Sequence, residues 1–221
     1  MAAASRTSAM RVARILLATG VVVLVAQSLA DLVASLGFHS YHSVVDLDRN
    51  NGIPDVASTL AIVCAAVGAA VLAVREERGR LRLALLTVVL GLIALADGIQ
   101  APVDGSTLSG RTVFVAILLA ALLLVSASLS THPWARTSTL VGLGCLAVAV
   151  LGGLTYGSIL TDIGLDDLGR GDVTYELGIV AKQGLELAGW TLIAVGLWAA
   201  AGDATGTPSE ARGVARLGAP P

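Results

Sequence analysis

Six apolar runs, each near the roughly 20 residues that a helix needs to cross a bilayer, fill most of this 221-residue chain. They span residues 15–38, 56–74, 83–101, 112–131, 137–161 and 175–201. The second, fourth and fifth runs carry no charged residue. Lipid offers no partner to an exposed peptide group, so such a chain is confined to helices or a closed barrel. Barrel strands are short and alternate in polarity; these runs are too long and too uniformly apolar. The expected fold is all-α, a polytopic transmembrane helical bundle of six spans. Residues 1–201 would form the helical domain. Residues 202–221, rich in Gly, Ala and Pro, would form a disordered cytoplasmic tail.

Composition agrees. Charged residues make up 14% of the chain, against roughly 25% in a soluble domain, and the mean hydropathy is +0.82. The background of Ala, Leu, Val and Gly suits helices that approach closely in lipid. A net charge of -2 argues against nucleic acid as a partner. Cys64 and Cys145 lie inside apolar runs without a C-x-x-C spacing, so they read as packing residues. Lys182 is the only lysine, an arginine bias that fits a GC-rich bacterial genome.

Basic residues flanking the spans set orientation, because cytoplasmic loops hold an excess of Lys and Arg. Arg6, Arg11 and Arg14 precede the first run. Arg75, Arg78, Arg80 and Arg82 lie in "REERGRLR", Arg136 follows the fourth run, and Arg212 and Arg216 lie in the tail. In a six-span threading all of these fall on one side. The opposite connections hold only Arg49, Arg111 and Arg170, amid Asp46, Asp48, Asp55, Asp104, Asp162, Asp166, Asp167 and Asp172. Both termini are therefore expected in the cytoplasm of a bacterium, with the chain multi-pass in the inner membrane. The first run also has the basic start and small residues of a signal peptide, with a cut before Asp31. Against that, the apolar run continues past the cut as "LVASLGF".

The first outer connection, "DLDRNNGIPD", resembles a calcium loop. Counted from Asp46, the oxygens at positions one, three and five are Asp46, Asp48 and Asn50. Position six is then Asn51 rather than glycine, and position twelve is Ala57 rather than the bidentate Glu that such a loop needs. Counted from the glycine, the earlier ligand positions fall on Leu47 and Arg49, which cannot ligate. A turn explains the letters better: Asn51-Gly52 tolerates positive φ, and Asp55 can cap the following span. Asp46, Asp48 and Asn50 remain weak metal candidates. His39 and His42, in "HSYH", have a spacing that suits two ligands on one helical face; lacking a third ligand, they read as a headgroup-level pair. His132, beside Trp134, reads as an interface anchor.

Polar residues inside the spans carry the sharpest signal. A charged group at the bilayer centre costs about 2.5–3.5 kcal/mol on insertion scales, and such groups pair, face water or serve function. Ser28, Asp31 and Ser35 share a helical face, with Gln27 at its edge. Asp97 and Gln100 end the third run, and Thr155 and Tyr156 lie near the end of the fifth. Glu176, Gln183, Glu186 and Trp190 form a stripe on the sixth, and Lys182 is one turn from Glu186. Given the threading, all fall in the outer half of the bilayer. The expected site is an outward-facing polar pocket built by Asp31, Asp97, Tyr156, Lys182, Gln183 and Glu186. Lys182 would pair there with Glu186, Asp31 or Asp97. A structural ion pair that locks helices explains the same residues equally well.

There is no phosphate-binding P-loop, no G-x-S-x-G and no H-E-x-x-H, so no cofactor and no catalytic residue is expected. The stretches "GIPDVASTLAIV", "ALADGIQ" and "KQGLELAGWTL" resemble those of small uncharacterised bacterial multi-pass proteins. In these an "IP" or "VEW" opens a span, an acid ends the third, and a Glu-rich segment opens the last. The resemblance implies about six spans and brings no activity. Lys182 and Gln183 stand where its acidic pair would be, leaving Asp97 and Glu186 as the shared acids. Three functions fit. The first binds or passes a small ligand or cation through the outer pocket. The second is a non-catalytic subunit that meets a membrane protein partner or a second copy. The third is an outer-leaflet enzyme using Glu186 or Asp97 as acid or base. The lipid bilayer is a partner in all three.

Overall fold

A computed structural model describes residues 2–33, 53–76, 79–98, 116–117, 120–121, 123–125, 127–162 and 173–204. Its regular structure is all helical. In chain order the helices are α1 (Ala2–Leu32), α2 (Ile53–Arg75), α3 (Arg80–Gly98), α4, to which helical residues 116–117, 120–121, 123–125 and 127–128 belong, α5 (Pro133–Asp162) and α6 (Val173–Asp203). Among the described residues four stretches are long and apolar enough to cross a membrane: Arg11–Ala30, Val56–Arg75, Pro133–Val150 and Leu177–Asp203. The helices run beyond the apolar runs at several ends. α1, for example, starts at Ala2 and carries Arg11 and Arg14 within it, since arginine is a good helix former and its head stays wet.

Local chemistry fixes the joints. Gly79 has φ of 88° between α2 and α3, a left-handed turn that glycine adopts without a Cβ penalty. Its carbonyl accepts the Leu83 amide at 3.1 Å, which starts α3. Pro133 opens α5 at the first helical position, where a missing N–H costs nothing. The His132 carbonyl just before it accepts the Arg136 amide at 2.9 Å.

α6 is the hub. It packs against α1, α2 and α5, while α3 packs on α2. Of its span, 67% is buried inside the protein, against 11% for that of α1. The register of contacts gives directions. On α5 and α6, Gly142 meets Gly189, while Ala135 and Thr139 meet Gly196; the two are antiparallel. On α1 and α6, Gly20 meets Thr191 and Leu24 meets Gly184, again antiparallel. α2 runs parallel to α6: the Trp198 indole N–H donates to the Cys64 carbonyl at 3.0 Å, and Arg75 Nη1 donates to the Ala201 carbonyl at 2.7 Å.

The starts of α1, α3 and α5 therefore gather with the ends of α2 and α6. Arg11, Arg14, Arg75, Arg80, Arg82 and Arg136 all lie at this end and are exposed. Register places Asp31, Asp55, Asp97, Asp162 and Glu176 at the other end. The tightest core lies toward the arginine end, where Leu72, Leu83, Leu86, Leu129 and Leu197 are fully buried. The outer surface is apolar: Val21, Val22, Val25 and Leu29 of α1, Leu60 and Val63 of α2, Leu85, Val88 and Leu92 of α3, and Val141 and Val148 of α5 are exposed. A soluble monomer rarely exposes so much apolar surface; acyl chains cover it in a bilayer.

Candidate functional site

α6 brings polar residues into the bundle along its first half. Gln183 and Glu186 are half-buried, and Trp190, one turn on from Glu186, is buried. That order follows from helical spacing: residues three and four apart share a face, and this face turns toward the neighbouring helices. Lys182 is one residue off the stripe and is exposed on the outside of α6. Gln183 and Glu186 each have an interaction partner within the chain.

α1 supplies the facing wall. Gln27 is only 7% exposed, and Ser28 beside it is half-buried. A small cleft lies between the two helices, lined by Leu24, Gln27, Ser28, Val180, Gln183, Gly184 and Leu187. The helices approach closely at Gly184, where a Cβ would stand 3.2 Å from Leu24 Cδ1. The cleft holds a volume of about 10 Å³, the space of about one water molecule. Among the described residues the Gln27 Nε2 has no hydrogen-bond partner; the same holds for the buried hydroxyls of Ser58 and Ser128.

Of the six residues expected to line a pocket, Gln183 and Glu186 share the inward face of α6, and Lys182 does not. Asp31, Asp97 and Tyr156 occupy helical positions on α1, α3 and α5, but their side chains lie outside the described residues. So do Asp46, Asp48, Asn50, His39 and His42. Among the described residues no three His, Cys, Asp or Glu side chains gather closely enough to hold a metal ion.

A second polar group of contacts lies at the arginine end. His132 Nε2 is 2.9 Å from Glu76 Oε1, with both side chains largely buried. This contact ties the start of α5 to the end of α2. Next to it, the Arg75 guanidinium closes a carbonyl of the last turn of α6, where orphan acceptors and the negative end of the helix dipole favour a cation. Trp134 is 59% exposed, as an interfacial anchor would be. Sequence reasoning missed the ties of Arg75 and His132. It saw both residues only as loop chemistry, and no local signal marks a contact to a residue 126 or 56 positions away. Gln27, placed at the edge of a stripe by spacing alone, is in fact the most enclosed polar side chain of α1 among the described residues.

Among the described residues this geometry provides an amide-lined cleft, a half-buried carboxylate and a His–Glu tie. No family model, curated protein or solved structure matches the chain.

Proposed function

We propose that the chain is a six-span protein of the bacterial inner membrane, with both termini in the cytoplasm, whose outer half binds or passes a small polar ligand or a cation. The threading is supported by the gathering of the exposed arginines at one end of the bundle, with Asp31, Asp55, Asp97, Asp162 and Glu176 at the other, since retained basic residues mark the cytoplasmic side. The ligand reading rests on one observation: Glu186 and Gln183 sit half-buried on the most enclosed helix. Intramembrane ionisable groups are expensive to keep unless they serve such a purpose. The likeness to small bacterial multi-pass proteins fits the threading and adds no activity.

The test is thermal denaturation of the reconstituted protein with sodium, magnesium or calcium chloride, or with small polar solutes. The expected result is that at least one raises the midpoint of the wild type, and that Glu186→Gln keeps the fold but loses the rise, while Lys182→Met, on the outside of α6, keeps the rise. A lower midpoint in Glu186→Gln, with no solute shifting the wild type, would make Glu186 structural.

A second reading is that the chain is a non-catalytic assembly subunit. It is favoured by the partners that Gln183 and Glu186 already have within the chain, and by the backbone-close seam of α5 and α6. A stoichiometric membrane protein that co-purifies in mild detergent, and is lost in Glu186→Gln, would support it.

A further inference from the structure

The cleft between α1 and α6 has a chemical character of its own. Gln27 is more than nine-tenths buried, it is one of the residues that line the cleft, and its Nε2 donor has no hydrogen-bond partner among the described residues. A buried polar group left unpaired is costly, and native structures satisfy such groups almost without exception. In hydrocarbon the demand is stronger, because bulk water cannot reach the donor.

We propose that this cleft is a site for one hydrogen-bond acceptor, an oxygen lone pair supplied by a water molecule or by the ester carbonyl of a lipid. Three features set the class. The orphan atom is an N–H donor, which demands an acceptor. Among the described residues no charged side chain lines the cleft: Leu24, Val180, Gly184 and Leu187 surround Gln27, Ser28 and Gln183. These residues offer a cation no counter-charge. The volume of about 10 Å³ admits about one water molecule and excludes a solute of ordinary ligand size. The position suits either source. Gln27 lies 16 residues beyond Arg11, about 24 Å along the helix axis and so several ångströms inside the far edge of a core about 30 Å thick. An interfacial water and the ester layer of that leaflet both approach this depth.

The consequence is a hydrated joint between the least enclosed span and the hub. α1 meets α6 through Gly20–Thr191 and Leu24–Gly184, and the bound oxygen would extend that contact toward the acidic end. This inference takes α1 as a membrane span but needs neither the orientation of the chain nor the Glu186 pocket.

The test uses the full chain, labelled with ¹⁵N at glutamine side chains, in nanodiscs of ester-linked phosphatidylcholine and of its ether-linked analogue. Gln27 is assigned by loss of its amide pair in Gln27→Leu, or in Gln27→Met if leucine fails to fold. Cross-peaks from the Gln27 amide protons to water in both lipids are expected if water is the occupant. Cross-peaks to the lipid glycerol region, lost in the ether lipid, are expected if the ester carbonyl is. Either supports the site. Contacts from Gln27 to protein protons alone, with neither water nor lipid, would overturn it. A water or lipid contact at Gln27 together with no solute-dependent stabilisation anywhere would keep this site and remove the Glu186 pocket.

Discussion

Gly142 and Gly189 stand where α5 and α6 come within backbone contact. A Cβ on Gly142 would lie 2.6 Å from the Gly189 carbonyl, and one on Gly189 would lie 2.8 Å from the Gly142 carbonyl. Helices in lipid gain little from burying one aliphatic group against another, so van der Waals contact and interhelical hydrogen bonds hold them. The seam supplies both: the Ser138 hydroxyl donates to the Leu192 carbonyl across it at 2.9 Å. Gly142→Ala is expected to destabilise the fold. Separating the helices costs about 1–3 kcal/mol, while alanine recovers no more than about 1 kcal/mol of helix propensity. Gly144→Ala, two residues away with nothing within 4 Å of the added methyl, should be neutral or stabilising by up to about 1 kcal/mol. Denaturation of both variants in the same detergent decides it; equal effects would mean that the seam carries no special weight. The abundance of small residues was visible in the composition. Which of the 25 glycines meets which carbonyl was not, because that depends on how two helices 47 residues apart at their contact are rotated and staggered.

At the scale of elements, the ends of α2 and α6 and the start of α5 are tied together at the arginine end. The last turn of α6 is closed by Arg75 of α2, and the start of α5 is tied to the end of α2 by the His132–Glu76 contact. Arg75→Met keeps most of the aliphatic stem and removes the donor. It should cost about 1 kcal/mol, the usual worth of a cation at a helix C-terminus. Glu76→Gln and His132→Phe should couple in a double-mutant cycle by about 0.5–1 kcal/mol, with the single variants each losing stability; a coupling near zero would show that the contact is incidental. Trp198→Phe, which removes the indole donor to the Cys64 carbonyl, is expected to cost about 0.5–1.5 kcal/mol. The sequence announced the elements well. Apolar runs at 56–74 and 175–201 lie within α2 and α6, and Pro133 marks a start that the run beginning at 137 placed four residues late. Their ties were hidden for a physical reason. "REERGRLR" reads as a charged loop because its residues are charged, yet Gly79 makes it a tight turn, and Arg75 and Glu76 remain on α2's end, where they reach other helices.

Across the whole molecule, charge is sorted along the bundle while the lateral surface is apolar. Exposed Val, Leu and Ile cover the flanks of α1, α2, α3 and α5, and the exposed arginines collect at one end. That sorting was legible from the runs and their flanking residues, since both depend only on local composition. The placing of the polar residues was only partly legible: helical spacing put Gln183 and Glu186 on one face, but periodicity could not say that Lys182 turns outward or that Gln27 is enclosed. The threading is open to a direct check. Cys64 and Cys145 are half-buried, and Cys64 meets Trp198 through its backbone carbonyl. Cys64→Ala and Cys145→Ala should therefore give a stable background free of thiols. Into it single cysteines are placed at Ser43, Ser106 and Ser209, and intact cells are exposed to a membrane-impermeant maleimide. With the arginine end in the cytoplasm, Ser43→Cys and Ser106→Cys should label from outside, and Ser209→Cys only after the membrane is opened. Labelling of Ser43→Cys only from the cytoplasmic face would invert the bundle. It would then set six exposed guanidinium groups on the far side of the membrane, against the retention of basic flanks that governs insertion. The acids of the opposite end would face the cytoplasm, and Glu186 with them would lie in the inner half of the bilayer, removing the basis for an outward-facing site.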